Sequence, residues 1–326
     1  MIISKTPLRM SFVGGGTDIP VTYRKHGGAV LSTAIDKYIY VTVNKRFDDT
    51  YRISYSRTEE VPTIEAVQHP LARAALAMTN CHGGLEVTSI ADIPARGTGL
   101  GSSSSFVVGM LHALHAYAGR YVSAGRLAQE ACEIEINRCG EPIGKQDQYA
   151  AAFGGFNVIR FHPDESVDIE PVMAPAGVID RLQTQLLTFY TGATRSASDL
   201  LARQNRDVAD SAAKQATLRR MASLVDESRV AVQAGDLETF GALLHENWLL
   251  KASLTAGITN PKIDQWYASA RGAGAYGGKL LGAGDGGFLL VQAPQDRHEA
   301  VCRALNELRL VPFRFERSGS QIIFYH

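Results

Sequence analysis

The chain has 326 residues, with 33 Lys plus Arg against 33 Asp plus Glu, 45% hydrophobic and 20% charged residues. That length can bury a sizeable core and suggests two domains, while a formal net charge of zero removes the basic field that would recommend nucleic acid. No basic-then-apolar leader opens the chain, no apolar run nears the roughly 20 residues of a membrane span, and the four cysteines form no C-x-x-C pair, as suits reduced thiols in a cytoplasmic protein.

Residues 8–13 read as a strand running into Gly14-Gly15-Gly16-Thr17-Asp18. Three glycines beside a Thr-Asp pair suit a wall against which a polar ligand lies, its hydroxyls donating to the carboxylate. A plain turn with Asp18 capping the next segment fits equally, and spacing alone does not choose between them. Residues 29–35 and 38–44 are β-rich, with Asp36-Lys37 between them as a hairpin turn. Residues 51–55 alternate as a strand, and 64–79 read as a helix limited or kinked by Pro70.

The strand-like run 85–90 leads into Pro94-Ala95-Arg96-Gly97-Thr98-Gly99-Leu100-Gly101-Ser102-Ser103-Ser104-Ser105, and a helical run leads out with Phe106, Met110, Leu114 and Tyr117 on one face. Glycines 97, 99 and 101 let the backbone bend close to a ligand and aim successive N–H groups at it. The serines then stand at a helix start, where free donors and the dipole favour an anion. A flexible turn with an ordinary serine cap is the alternative; the strand–loop–helix context favours a phosphate cradle. No Lys-Ser or Lys-Thr follows the last glycine, and Ser102 stands where a dinucleotide fingerprint has its third glycine, so neither familiar phosphate loop applies.

Ser123 can cap a helix running to about Arg138, with Leu127, Ala131, Ile134 and Arg138 in one stripe. Glu135 lies at the edge of that stripe, Glu130 and Glu133 on its polar side. A carboxylate near an inward face needs a metal or a buried base; an exposed flank position would leave it in water. His112 and His115 have no third ligand in view and read as surface or core histidines. In Gly144-Lys145-Gln146-Asp147-Gln148, Asp147 is either a surface partner of Lys145 or a base favoured by nearby cations. Strands at 156–161 and 167–169 close a first domain, 1–176, and the second spans 177–326.

In the second half a strand at 185–190 ends in Thr191-Gly192-Ala193-Thr194-Arg195-Ser196, and helical stretches follow at roughly 199–234, 236–254 and 260–273. Lys279-Leu280-Leu281-Gly282-Ala283-Gly284-Asp285-Gly286-Gly287 precedes a strand at 288–291. A helix near 295–308 and strands at 313–315 and 322–324 finish the chain, an order that points to α+β halves.

Three stretches together resemble the GHMP small-molecule kinases. They are Arg9 with Gly16-Thr17-Asp18, nine positions apart from Arg9 to Asp18; Gly99-Leu100-Gly101-Ser102-Ser103; and the glycine loop at 282–287, where Asp285 replaces a glycine. Glu135, twelve residues before Asp147 of Gly144-x-x-Asp147-Gln148, matches the galactokinase-like pattern. The resemblance implies an α+β fold with an N-terminal domain like ribosomal S5 domain 2 and a ferredoxin-like C-terminal domain. It implies ATP bound over Gly97, Thr98, Gly99, Leu100, Gly101, Ser102, Ser103 and Ser104, Mg²⁺ held by Ser103 and Glu135, Asp147 as base and Arg9 as charge stabiliser. The sugar would lie on Gly15, Gly16, Thr17 and Asp18, with Gly284 and Asp285 nearby, and Lys37 and Arg195 are the cations offered to a sugar phosphate. Within the family the likeness is to the heptose 7-phosphate kinase branch, on residues 6–18, 32–38 and 190–196, which makes a 1,7-bisphosphate on the route to GDP-heptose for surface polysaccharides. Galactokinase has Glu-His-Thr-Asp where this chain has Gly15-Gly16-Thr17-Asp18, fucokinases share much of the pattern, and a non-catalytic sugar or nucleotide sensor is the reading of another class. The expected partners are ATP and a sugar phosphate, with no nucleic acid and no membrane; a homo-oligomer is left open.

Overall fold

The structure, a computed structural model, describes residues 1–94, 97–192 and 197–326. The first half runs β1 (Ile2–Val13), α1 (Pro20–His26), β2 (Gly28–Lys45), β3 (Tyr51–Ser54), β4 (Thr58–Val61), α2 (Pro70–Thr79), β5 (Leu85–Ala91) and α3 (Ser102–Tyr117). It continues with α4 (Ala124–Cys132), a π-helical turn (Glu133–Arg138), α5 (Gln146–Phe153), β6 (Phe156–Phe161) and β7 (Val167–Pro171). The second half contributes α6 (Val178–Thr184), β8 (Leu186–Tyr190), α7 (Ala197–Ala209), α8 (Ala212–Ala234), α9 (Leu237–Leu254) and α10 (Pro261–Gly272). β9 (Gly277–Leu280), β10 (Phe288–Gln292), α11 (His298–Ala304), β11 (Arg309–Leu310), β12 (Phe315–Glu316) and β13 (Gln321–Tyr325) end it.

These elements form a nine-stranded sheet built on β1 and β2 and a four-stranded antiparallel sheet ordered β11-β8-β10-β9. In chain order the second sheet reads fourth-first-third-second, the ferredoxin-like arrangement expected. β12 and β13, although last in the chain, pair with β2 and β1 of the first sheet, so sheet membership does not follow the sequential division at residue 176.

The expected hairpin at Asp36-Lys37 is absent. β2 is one strand of 18 residues, and its pairing with β1 shifts register between Pro7 and Leu8, which bulges Asp36 and Lys37 out of the ladder. Asp36 exchanges backbone and side-chain hydrogen bonds with Arg314 (2.9 and 2.8 Å), a tether to β12 that a reading of local composition does not contain. The helix expected across 199–234 is two: Ser211 caps α8 by accepting from the Lys214 N–H at 3.3 Å. Pro70 stands at the first position of α2, where its missing N–H costs nothing.

From Thr6 to Val13 β1 is buried without alternation, as a strand covered on both faces must be. α3 and α5 pack on it from its own half, α8 and α9 from the other. Phe12 sits among Phe156, Phe240 and Phe315 with ring centroids 5.7, 5.7 and 6.2 Å away, edge-on in each case. Among the described residues no helix is long and apolar enough to cross a membrane.

Candidate active site

The end of β1, the start of α3 and the first turn of α5 meet at one place. Gly101 precedes α3 in a left-handed conformation, with φ +77°, that favours glycine. A Cβ there would lie 3.3 Å from the Arg9 side chain and 3.4 Å from Asp147 Oδ2. The first N–H groups of α3 have no carbonyl a turn earlier to bond, so they remain donors for an anion. Leu100 is buried in the core and its carbonyl accepts from Arg9 N at 3.1 Å, which pins the loop to β1. Thr98 Oγ1 and Ser102 Oγ lie 3.4 Å apart.

Three consecutive residues opening α5 reach the three acids of the site. Gln146 donates to Asp18 through its backbone N–H (3.3 Å) and its amide (3.2 Å). Asp147 receives both arms of Arg9, Nε and Nη2, at 2.7 Å each, the bidentate fork of a charge-assisted pair. Gln148 Nε2 donates to Glu135 at 2.6 Å. Lys145 turns away to Glu165 and over the Tyr23 ring, so the local ion pair with Asp147 does not form and Arg9, 138 positions away, takes its place. Arg9 Nη1 donates to Gly99 O at 2.6 Å, which joins the acid to the glycine loop.

Glu135 is fully buried, inside the π-helical turn rather than a regular helix. Ser103 and Ser104 hydroxyls each donate to it at 2.7 Å. Burial pushes its carboxyl up to about 7, against the pull of the serine and Gln148 hydrogen bonds, with Asp147 adding to the rise. A desolvated carboxylate ringed by hydroxyls is an oxygen donor set that fits a hard cation. Ser103 and Glu135 alone are few ligands, which fits Mg²⁺, an ion that keeps water and phosphate oxygens; among the described residues no group of three or more His, Cys, Asp or Glu side chains could hold a metal. Glu130, expected on the polar side, is instead buried. Its partners are His115 at 2.7 Å and Arg126 at 2.6 Å, an arrangement made possible because α3 and α4 pack side by side.

Asp18 is buried against Gly16 N (2.9 Å) and Gln146. Burial first, then the charge of Asp147, raises its carboxyl above the ordinary range. A Cβ at Gly144 would lie 2.0 Å from Asp18 Oδ2, so the glycine of the Gly-x-x-Asp run is required by this contact. Thr17 turns its hydroxyl to Ala29 O at 2.8 Å and accepts from Ala29 N at 3.0 Å, holding the loop to β2. Gly15 and Gly16 lie beside Ser11, Gln146 and Gln204.

The glycine loop at 282–287 packs on the one at 97–101. A Cβ at Gly282 would lie 2.4 Å from Gly99 Cα, and one at Gly287 2.5 Å from Thr98 O. Gly284 backs onto Ile258 in the same way, and Asp285, in the left-handed region with φ +60°, bonds Ile258 O through its N–H and receives Asn260 Nδ2 at 3.1 Å. Lys37 directs its ammonium to its own Asp36, at 3.4 Å from Oδ1. Arg195 lies outside the described residues.

Two cations that the sequence reading assigned no role complete the site. Lys251 on α9 and Lys279 on β9 are both buried, donating to Gly282 O at 2.8 Å and Ser11 O at 2.7 Å. Asn247, one turn before Lys251, accepts from Gly14 N at 3.0 Å. Their signal was faint: Lys279 opens the third glycine motif, but Lys251 and Asn247 stand in an ordinary helical pattern.

Comparison with known proteins covers both halves of the chain. The GHMP kinases N terminal domain profile matches residues 65–155 and the GHMP kinases C terminal profile residues 228–308. The D-glycero-alpha-D-manno-heptose 7-phosphate kinase of Campylobacter jejuni is 28% identical over 335 residues, covering 98% of this chain and 97% of its own. A galactokinase of Pyrococcus furiosus is 27% identical over 355 residues, covering 97% and 95%. The crystal structure of a D-glycero-D-manno-heptose 1-phosphate kinase from Bacteroides thetaiotaomicron aligns over 100% of both chains with a TM-score of 0.81 and 26% identity.

Proposed function

Because the chain belongs to the GHMP kinases, we propose that it is a sugar kinase that moves the γ-phosphoryl group of ATP to the anomeric hydroxyl of D-glycero-D-manno-heptose 7-phosphate, giving the 1,7-bisphosphate. The observation that carries this reading is the Arg9–Asp147 pair set against Gly101 at the mouth of α3. An acid there stands beside the helix start that suits a triphosphate, and its partner is a cation, not another acid.

Asp147 accepts the proton of the C1 hydroxyl while that oxygen attacks the γ-phosphorus and ADP departs. An anomeric hydroxyl is more acidic than an ordinary alcohol, so a carboxylate is base enough. Arg9 fixes the orientation of Asp147 and brings positive charge beside the transferring group. The open N–H groups of residues 102–104 and the glycine loop take the phosphates. Ser103 and Glu135 would hold Mg²⁺, which neutralises phosphate charge when bound. Asp18, aligned by Gln146, takes sugar hydroxyls.

The test is ATP consumption with heptose 7-phosphate set beside fucose, galactose and mannose. Heptose 7-phosphate is expected to give the highest kcat/KM. A higher value with unphosphorylated fucose or galactose would move the reading to those kinases, and consumption with no sugar would remove it.

A further inference from the structure

We propose that the niche beside Gly15, bounded by Ser11, Gln146 and Lys279, receives the terminal oxyanion of the sugar substrate, and that Lys279 is the residue that makes the protein select a phosphorylated sugar over a neutral one. The inference rests on the kinase reading above and adds the group that recognises the far end of the acceptor.

Lys279 reaches from β9 across to β1 and bonds the Ser11 carbonyl at 2.7 Å, with 1% of its surface exposed. An ammonium has three donors, and this bond uses one. A Cβ built on Gly15 would stand 3.3 Å from Ser11 Oγ, 3.9 Å from Gln146 Nε2 and 3.9 Å from Lys279 Nζ, so a hydroxyl, an amide and an ammonium converge on the space that this glycine leaves. Gly15 is not among the glycines with positive φ, so space and not backbone geometry is what the residue supplies. Ser11 Oγ is buried without a hydrogen-bond partner among the described residues, as are both ends of the Gln204 amide beside Gly16. Buried polar groups left this way point to a ligand that supplies the missing bonds.

Charge points the same way. Lys251 and Arg9 bring positive charge to bear on Lys279, opposed by the carboxylate of Asp18. Burial, and then Lys251 and Arg9, push the Lys279 ammonium well below its ordinary range, a penalty that an anion in the niche would relieve. Arg9 and Ser11 are two residues apart on β1, roughly 7 Å along the strand. A seven-carbon sugar spans that separation, from a C1 oxygen at Asp147 to an oxyanion at Lys279. Lys37, by contrast, is turned to Asp36.

The experiment compares kcat/KM for mannose 6-phosphate, mannuronate and mannose, beside heptose 7-phosphate, in wild type, Lys279→Met, Lys279→Arg and Gly15→Ala. In Lys279→Met the preference for phosphorylated over neutral sugar is expected to fall by roughly 10–100-fold, the worth of a hydrogen bond to a charged group. Gly15→Ala is expected to lower the same preference with the lysine intact, and Lys279→Arg to keep part of it; these two carry the test if Lys279→Met fails to fold. A preference for mannuronate over both other mannose compounds would support the niche with a carboxylate as its oxyanion. An unchanged preference in Lys279→Met and Gly15→Ala, or a loss that appears in KM for ATP instead, overturns the proposal. Should wild type phosphorylate no sugar, the kinase reading falls by itself, and calorimetric titration with mannose 6-phosphate still decides: tighter binding by wild type than by Lys279→Met supports the niche, and equal binding overturns it.

Discussion

Asp147 meets Arg9 through both carboxylate oxygens, and each oxygen keeps a second lone pair for a substrate proton. Asp147→Asn keeps the shape but removes that basicity, so turnover is expected to fall roughly 10²–10⁴-fold while ATP binding persists; single-turnover rates and nucleotide titration separate the two, and a normal rate would show that another group is the base. Glu135 offers a pH test with a definite sign. Its folded-state value, about 7, lies above the ordinary 4.5, so between those values the folded chain holds a proton that the unfolded chain has released. Stability from this group is therefore greatest at low pH and declines as pH rises through 7. In metal-free buffer Glu135→Gln should flatten the drop in Tm between about pH 5 and about pH 8, and should raise the Mg²⁺ requirement of the reaction; an equal drop in both proteins would mean that the carboxylate is not held as described.

At the scale of elements, the site depends on two glycine loops in van der Waals contact. Gly282→Ala would set a methyl 2.4 Å from Gly99 Cα at a backbone with φ +81°. A stability loss of roughly 1–3 kcal/mol follows from strain and overpacking, with KM for ATP rising more than KM for sugar; urea unfolding and ATP titration read the two. The loop–helix start at 97–105 was legible because positive-φ glycines and a serine-rich helix entrance are local features. The bulge at Asp36-Lys37 was not legible, since a polar pair between β-rich runs has a turn's composition, and it is the pairing with β1 on both sides of the pair that shows that the strand continues. The split between α7 and α8 was missed although Ser211 carried the cap that marks it, because the polar residues on both sides blur the hydrophobic period.

Across the whole molecule, the last strands return to the first sheet, and β13 covers the edge of β1 from Ile2 to Lys5. Deleting residues 313–326 should leave that edge and part of β2 unpaired, giving a broadened urea transition and association on size-exclusion chromatography; an unchanged sharp transition would show that the tail is dispensable. The sequence by itself determined the family, the α+β class, the glycine loops and the spacing of Arg9, Asp18, Glu135 and Asp147, because helix starts, turn glycines and acid spacing are written in neighbouring residues. The tertiary structure alone decided which charges meet: Arg9 and not Lys145 on Asp147, Glu135 under the serines of α3, and Lys251 and Lys279 brought in from the other half. The physical reason is range. Backbone preferences act over a few residues, whereas a buried charge finds its counter-charge wherever folding places one, here 138 positions along the chain for Arg9 and Asp147.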